Sequence, residues 1–250
     1  MRRVLITGAA AGLGAALTAA FRARGDEVLT TDISDGVDLR LDITSPDDWS
    51  AAQQAVAERW GGLDILVNNA GVAGGGRLDV CGLDEWRWIT EINLFGIVQG
   101  MQAFIPLFKT QRSGHIVNVA SLAGLVHPAG MGSYNAVKAA VVALTETAGH
   151  ELAPYDVRAS VVCPSYFRTG LVDDLRGADE ALGSVIKGLV ANSPFGADDI
   201  ARAVLEGIDN GDDVILPDDA ARAAYALKVG DRPAYDTQMR RQAARLEALS

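Results

Sequence analysis

The chain has 250 residues, 49% of them hydrophobic and 22% charged, with a net charge of −10. Such a mixture can bury a sizeable core, and the acidity argues against non-specific binding to nucleic acid or to an anionic membrane. No apolar run approaches the roughly 18 to 20 residues of a membrane span, and the two cysteines and three histidines show neither metal-ligand nor disulfide spacing. Arg2 and Arg3 lead straight into an apolar run with no export-signal core behind them, so a cytoplasmic protein without a metal is expected.

Residues 4–7 read as a short strand that stops at a glycine-rich turn, Gly8-Ala-Ala-Ala11-Gly12-Leu13-Gly14. Leu13, Leu17, Ala20 and Phe21 then recur at helical spacing, Gly25 stands where a helix would end, and residues 28–31 make a second strand closing at Asp32. This βαβ unit predicts a dinucleotide site: the glycines allow a tight turn, let main-chain N–H groups approach a pyrophosphate, and permit close packing of helix on strand. Asp32 can accept hydrogen bonds from the adenosine ribose and would repel a 2′-phosphate. Neither Ala11 nor the residues after Asp32 offer a cation, so NAD(H) is expected over NADP(H).

A third strand is expected over residues 37–41, leading to Asp42 and Ile43 as candidates to flank the adenine. Ser45 and Pro46 form a helix start, with Trp49, Ala52, Val56 and Trp60 on one face and the tryptophans read as core or interface groups. A fourth strand, 64–67, runs into Asn68-Asn69-Ala70-Gly71, where asparagines can tie strand ends together and small residues leave room for a cofactor. Residues 83–108 carry helical periodicity through Asn93, a residue that competes for backbone hydrogen bonds.

Residues 115–120 are continuous enough to be buried on both faces, as in a parallel sheet. They precede Ser121. A long helix follows over 134–151, so Tyr134 and Lys138, four residues apart, share one face. Bringing a phenol from about 10 to near 7 takes roughly 4 kcal/mol of preference for the phenolate, more than one lysine supplies, so a second positive charge is needed nearby. A sixth strand is expected at 157–163, a helix at 198–208 and a last strand at 214–216. Residues 170–195 read as a substrate lid. An alanine-rich, charged tail from 218 to 250 reads as two helices divided near Gly230 and Pro233, appended to one doubly wound α/β domain of residues 1–217.

Together, Thr7-Gly8-xxx-Gly12-x-Gly14, Asn68-Asn-Ala-Gly71, Asn93, Ser121 and Tyr134-xxx-Lys138 resemble the short-chain dehydrogenase/reductase family from about residue 4 to residue 216. The resemblance implies a seven-stranded parallel Rossmann sheet with helices on both faces. It implies that Tyr134 is the catalytic acid/base, that Lys138 lowers its pKa and holds the nicotinamide ribose, and that Ser121 binds the substrate oxygen. Asn93 would hold a water linking Lys138 to solvent, and the missing positive charge would be the oxidised nicotinamide. Pro164, Phe167 and Thr169 fall where the family contacts the nicotinamide, although Ser165 stands where the family usually has glycine.

The activity implied is hydride transfer between NAD and a secondary alcohol or ketone. Leu122, Leu125, Val126, Met131, Tyr166, Phe167 and Leu171 could line an apolar pocket for a hydrophobic or cyclic substrate. A homodimer or homotetramer is expected, with no nucleic-acid or membrane partner. The competing readings are an NADP-dependent carbonyl reductase, an isomerase or lyase using NAD without net turnover, and a dinucleotide-binding regulator. A pure binder would not need Asn93, Ser121, Tyr134 and Lys138 together.

Overall fold

The strands are β1 (Arg3–Thr7), β2 (Glu27–Asp32), β3 (Leu39–Arg40), β4 (Ile65–Asn68), β5 (Gly114–Val119), β6 (Val157–Val162) and β7 (Val214–Ile215). In this computed structural model, which describes residues 1–172 and 176–248, they form one parallel sheet in the order β3-β2-β1-β4-β5-β6-β7. Parallel neighbours need crossovers. These are supplied by α1 (Gly12–Ala23), α2 (Pro46–Trp60), α3 (Leu83–Thr90) running into α4 (Gly96–Gln111), the short α5 (Ala123–Val126), α6 (Gly132–Leu152), α7 (Glu180–Ala191) and α8 (Ala197–Asn210). The chain builds outward from β1 to β3, returns to β4, and builds the other way to β7. A crevice opens at the carboxyl ends of β1 and β4, where the order reverses.

Alternation along the strands sends side chains to two cores. Leu5, Leu66, Ile116 and Val161 pack with Trp49 of α2, Phe104 of α4 and Val141 of α6. Val4, Ile6, Val67 and Val117 face the other way, against Leu17 and Phe21 of α1 and Val204 and Ile208 of α8. Burial on both faces explains the unbroken apolar runs in the sequence. A third cluster lies beyond the strand ends and joins Ala73, Met131, Val172, Leu182, Ile186, Val190 and Leu246.

Several element bounds differ from the sequence expectation. The third strand keeps only two residues, because the Asp38 carboxylate accepts the Thr30 N–H at 3.0 Å and the Thr30 hydroxyl at 2.8 Å, replacing ladder bonds at that edge. The expected continuous helix over 83–108 is interrupted by a π-turn, Glu91–Phe95, in which Asn93 is fully buried. Ser45 caps α2 as expected, accepting the Asp48 N–H at 3.2 Å, and Trp49 is buried with its indole N–H on the Ile43 carbonyl. Helix α6 starts two residues ahead of Tyr134. Of the expected lid, residues 173–175 lie outside the described residues; the described part holds α7, capped by Asp179.

After β7 come α9 (Asp219–Gly230) and α10 (Arg232–Glu247). Among the described residues no helix is long and apolar enough to cross a membrane.

Candidate active site

The first wall of the crevice is the turn between β1 and α1. Gly8 and Gly12 take positive φ, and a β-carbon on Gly14 would stand 2.0 Å from the Gly8 carbonyl oxygen, so only glycine lets the helix start that close to the turn. Asn69, at the end of β4, donates its side-chain amide to the carbonyls of Thr7 (2.9 Å) and Gly8 (3.1 Å), while the Thr7 hydroxyl accepts the N–H groups of Asn69 and Ala70. The turn is thereby stitched to the neighbouring strand. Helix α1 begins behind Ala11, which has no side-chain acceptor to offer, and its first turn contains no acid. Its leading N–H groups are the donor set a pyrophosphate takes.

Asp32 closes β2 beside this turn. One carboxylate oxygen accepts the Ala10 N–H at 3.1 Å and the other the Ser34 N–H at 3.0 Å, so the charge is held at the rim rather than swinging in solvent. Asp42 and Ile43 continue the same wall, with Asp42 accepting both the N–H and the hydroxyl of Thr44. The donors, the ribose-side carboxylate and the small residues Ala70 and Gly71 therefore fit a dinucleotide.

The opposite wall carries the chemistry-bearing side chains. Ser121 lies just past β5, and its hydroxyl accepts the Ala123 N–H at 3.2 Å and meets the phenol of Tyr134. Tyr134 sits in the first turn of α6, where the helix dipole favours a negative oxygen. Lys138, one turn on, is buried, donates to the Val119 carbonyl at 3.0 Å and holds its Nζ 5.7 Å from the Tyr134 ring centre. Burial pushes the Tyr134 phenol up to about 12 and the Lys138 ammonium down to about 8, against the smaller downward pull of Ser121 on the phenol. Burial thus pushes each group toward its neutral form, and the lysine does not bring the phenol down unaided.

Asn93 stands behind this pair. Its side-chain oxygen accepts the Val72 N–H at 2.8 Å and its amide donates to the Val72 carbonyl at 2.9 Å, so the side chain fixes the strand-end loop. A β-carbon on Gly71 would meet that oxygen at 2.8 Å and Lys138 Nζ at 3.9 Å; glycine there lets asparagine and lysine draw together behind the loop.

All these walls belong to one cleft of about 2060 Å³. Every cofactor residue expected from the sequence lines it except Gly14, whose part is packing. Ser121 and six of the seven expected substrate residues, Leu122, Val126, Met131, Tyr166, Phe167 and Leu171, line it as well. Asn93 and Leu125 do not. The sequence reading missed Trp88 and Glu91 from the α3 end, Ile186 and Val190 from α7, and a row of residues from α9 and α10. The sequence reads α7 only as part of a lid, and no periodicity says which cavity a distant helix will face.

Ser165 has a structural reason to replace glycine. Its N–H donates to the Asp218 carboxylate at 2.9 Å and its hydroxyl at 2.5 Å, while Asp218, itself buried, also caps α9 by accepting the Ala221 N–H. The departure after β6 and the extra helices are one feature.

The sequence profile of the short chain dehydrogenase family matches residues 2–180. The chain is 36% identical over 194 residues to a trans-4-hydroxycyclohexanecarboxylate dehydrogenase of Sinomonas cyclohexanicum, covering 69% of this chain and 74% of that one. It is 33% identical over 182 residues to a 3-alpha-(or 20-beta)-hydroxysteroid dehydrogenase of Mycobacterium tuberculosis, covering 68% and 70%. Among solved structures, a short chain dehydrogenase/reductase from Burkholderia phymatum in complex with NAD superposes with a TM-score of 0.85 at 30% identity over 92% of this chain and 94% of that one. One from Burkholderia cenocepacia in complex with NADP gives 0.82 at 28% over 95% and 97%. The parallel sheet, the glycine turn on its reversal point and the profile match over most of the chain make this protein a member of the short-chain dehydrogenase/reductase family, an oxidoreductase built to bind a nicotinamide dinucleotide.

Proposed function

We propose that the protein interconverts a secondary alcohol, hydrophobic or cyclic, and its ketone, using NAD(H). The observation that carries this reading is the meeting of Ser121, Tyr134 and Lys138 on the wall opposite the glycine turn, in one cleft. Ser121 orients the substrate oxygen. Tyr134 holds or takes the proton on that oxygen. Lys138, with one N–H on the Val119 carbonyl and two left to give, binds a ribose and steadies the phenolate. A bound oxidised nicotinamide supplies the hydride acceptor and the second positive charge. Asn93, fixed on the Val72 backbone, holds the water that links Lys138 to solvent as a proton path. The rest of the work is orientation and exclusion of water.

Asp32 supports NAD over NADP, since its carboxylate, held at the cleft rim by the Ala10 N–H, would repel a 2′-phosphate, and the flanking Ile33 and Ser34 bring no cation. The ring-bearing substrates named for the two relatives, and the apolar Val126, Met131 and Val172 in the cleft, support a cyclic alcohol. Assembly as a homodimer or homotetramer through α4 and α6 belongs to the same reading; Phe95, 48% exposed at the head of α4, is a group such a contact would cover. Two buried, unpaired cysteines support a cytoplasmic setting.

The test is NADH formation from NAD⁺ with a panel of cyclic secondary alcohols, run beside Tyr134→Phe. The variant is expected to lose about 10²- to 10⁴-fold in kcat. Turnover that survives in Tyr134→Phe removes Tyr134 from the chemistry.

A further inference from the structure

The two helices after β7 contribute residues to the lining of the cleft. Leu227 of α9 and Ala234, Gln238, Arg241 and Arg245 of α10 line the same cavity as Tyr134. Steps of four, three and four residues put the α10 four on a single stripe of the helix. The neighbouring stripe locks α10 down. Tyr235 is buried and donates its hydroxyl to the Val126 carbonyl, and Leu246 packs with Leu182 and Ile186 of α7. Lys228 of α9 bonds the Leu125 carbonyl and His127 Nδ1. The segment from Leu122 to Ser133 that walls the substrate space is therefore clamped to α9 and α10 by its own backbone carbonyls.

The arginines on this stripe are the informative ones. Elsewhere in the two helices Arg222 pairs with Asp219 at 2.6 Å and Arg232 with Asp236 at 2.7 Å, while Arg240 lies off the cleft; Arg241 and Arg245 are set apart by lining the cleft. Among the described residues, the Arg241 and Arg245 guanidiniums have no carboxylate partner and no side-chain hydrogen bond, although the chain carries a net charge of −10 and acids are plentiful. Gln238 and Gln242 add amide donors beside them. The acids on the same cleft near the substrate end are Asp231, which spends an oxygen capping α10 through the Ala234 N–H, and Glu91 from the α3 side. Arg87, also on the α3 side, is paired with Asp84.

We infer that Arg241 and Arg245 are specificity residues for an anionic substrate: a secondary alcohol or ketone whose far end bears a carboxylate, its apolar body lying against Val126, Met131 and Val190. This rests on the alcohol–ketone reading for the reacting end and adds the charge at the other. Two guanidiniums with unspent planar forks at the mouth of an apolar cleft are matched to a carboxylate, and in an acidic protein they supply the local attraction such a substrate needs. Their exposure limits the effect to about tenfold in affinity.

The test uses two matched pairs, 4-acetylbenzoate with acetophenone for binding, and 4-(1-hydroxyethyl)benzoate with 1-phenylethanol for turnover with NAD⁺. Calorimetry on the full-length protein is expected to show the carboxylate ketone binding about tenfold tighter than the neutral one. Arg241→Gln/Arg245→Gln should abolish that preference, and Arg241→Lys/Arg245→Lys should restore part of it. Arg240→Gln, which removes the same charge from a position off the cleft, should keep it. Equal or undetectable binding of the two ketones, or a preference that survives the double glutamine variant, overturns the inference. Carboxylate-selective binding with no turnover of either alcohol supports it and sinks the alcohol–ketone reading instead, while turnover of both alcohols at matched KM leaves that reading standing and removes this one.

Discussion

On the proposed reading, Asp32 sets the cofactor choice through geometry that is already in place. Its two oxygens are held by the N–H groups of Ala10 and Ser34, so the negative charge does not have to be organised when a nucleotide arrives. Asp32→Ala removes both the ribose acceptor and the repulsion of a 2′-phosphate. The ratio of kcat/KM for NAD⁺ over NADP⁺ is expected to fall by about ten- to a hundredfold, the worth of one or two charge-assisted hydrogen bonds. Steady-state kinetics with both cofactors checks this, and an unchanged ratio would assign the selectivity elsewhere. Tyr134 and Lys138 work under a different constraint. Burial drives the phenol up and the ammonium down, so in the proposed mechanism the pair needs further positive charge in the cleft to handle a proton.

At the scale of elements, the π-turn and the α9–α10 pair each solve a local problem with a side chain. The π-turn buries Asn93 and turns its amide onto the Val72 backbone, which satisfies two polar groups that no strand or helix ladder serves. Asp218 does comparable work where the chain leaves the sheet, taking the N–H and hydroxyl of Ser165 and the Ala221 N–H. Asp218→Ala strands these donors and is expected to cost about 2 to 3 kcal/mol, whereas Ser165→Gly keeps the backbone bond and costs about 1 kcal/mol. Hydrogen exchange is the discriminating measurement. In Asp218→Ala, amides of α9 and α10 should exchange faster while those of β1, β4 and β5 stay protected. Uniform acceleration across the sheet would mean that Asp218 stabilises the whole fold and not the attachment of these helices.

For the whole molecule, acid sensitivity has an identifiable source in the sheet. His115 of β5 is buried, with Nε2 at 2.8 Å from the Ser160 hydroxyl, and that hydroxyl gives its only proton to the Asp212 carbonyl at 2.7 Å. Nε2 is therefore the donor of the ring, and Nδ1 is buried with no partner among the described residues. Protonating it would bury a charge beside Arg158, so burial first and Arg158 second hold the pKa down at about 3. The unfolded chain takes up this proton near pH 6.5, so the neutral histidine's contribution is complete above about pH 6.5 and is lost as pH falls toward the folded value. Between about pH 6.5 and about pH 4 the loss is on the order of 3 kcal/mol. Chemical denaturation across that range should show a steeper decline for the wild type than for His115→Gln, which keeps a donor to Ser160 and does not titrate. Parallel slopes would place the acid sensitivity in other groups.

The sheet was legible in the chain alone because local rules specify it. Apolar runs buried on both faces, glycines at the β1–α1 turn and the Tyr134–Lys138 spacing depend only on periodicity and backbone sterics, and these write themselves into neighbouring residues. Small misses came where a side chain overrode the pattern: Asp38 shortened β3, and the π-turn broke a helix whose periodicity reads through Asn93. What tertiary structure alone decided is which distant segments meet. That Ser165 answers Asp218, that Val126 is gripped by Tyr235, and that Arg241 and Arg245 face the cleft holding Tyr134 are contacts across tens of residues. No sequence spacing encodes such contacts; they depend on where α9 and α10 are seated, which is set by long-range contacts such as Leu246 with Leu182 and Ile186, Tyr235 with Val126 and Asp218 with Ser165.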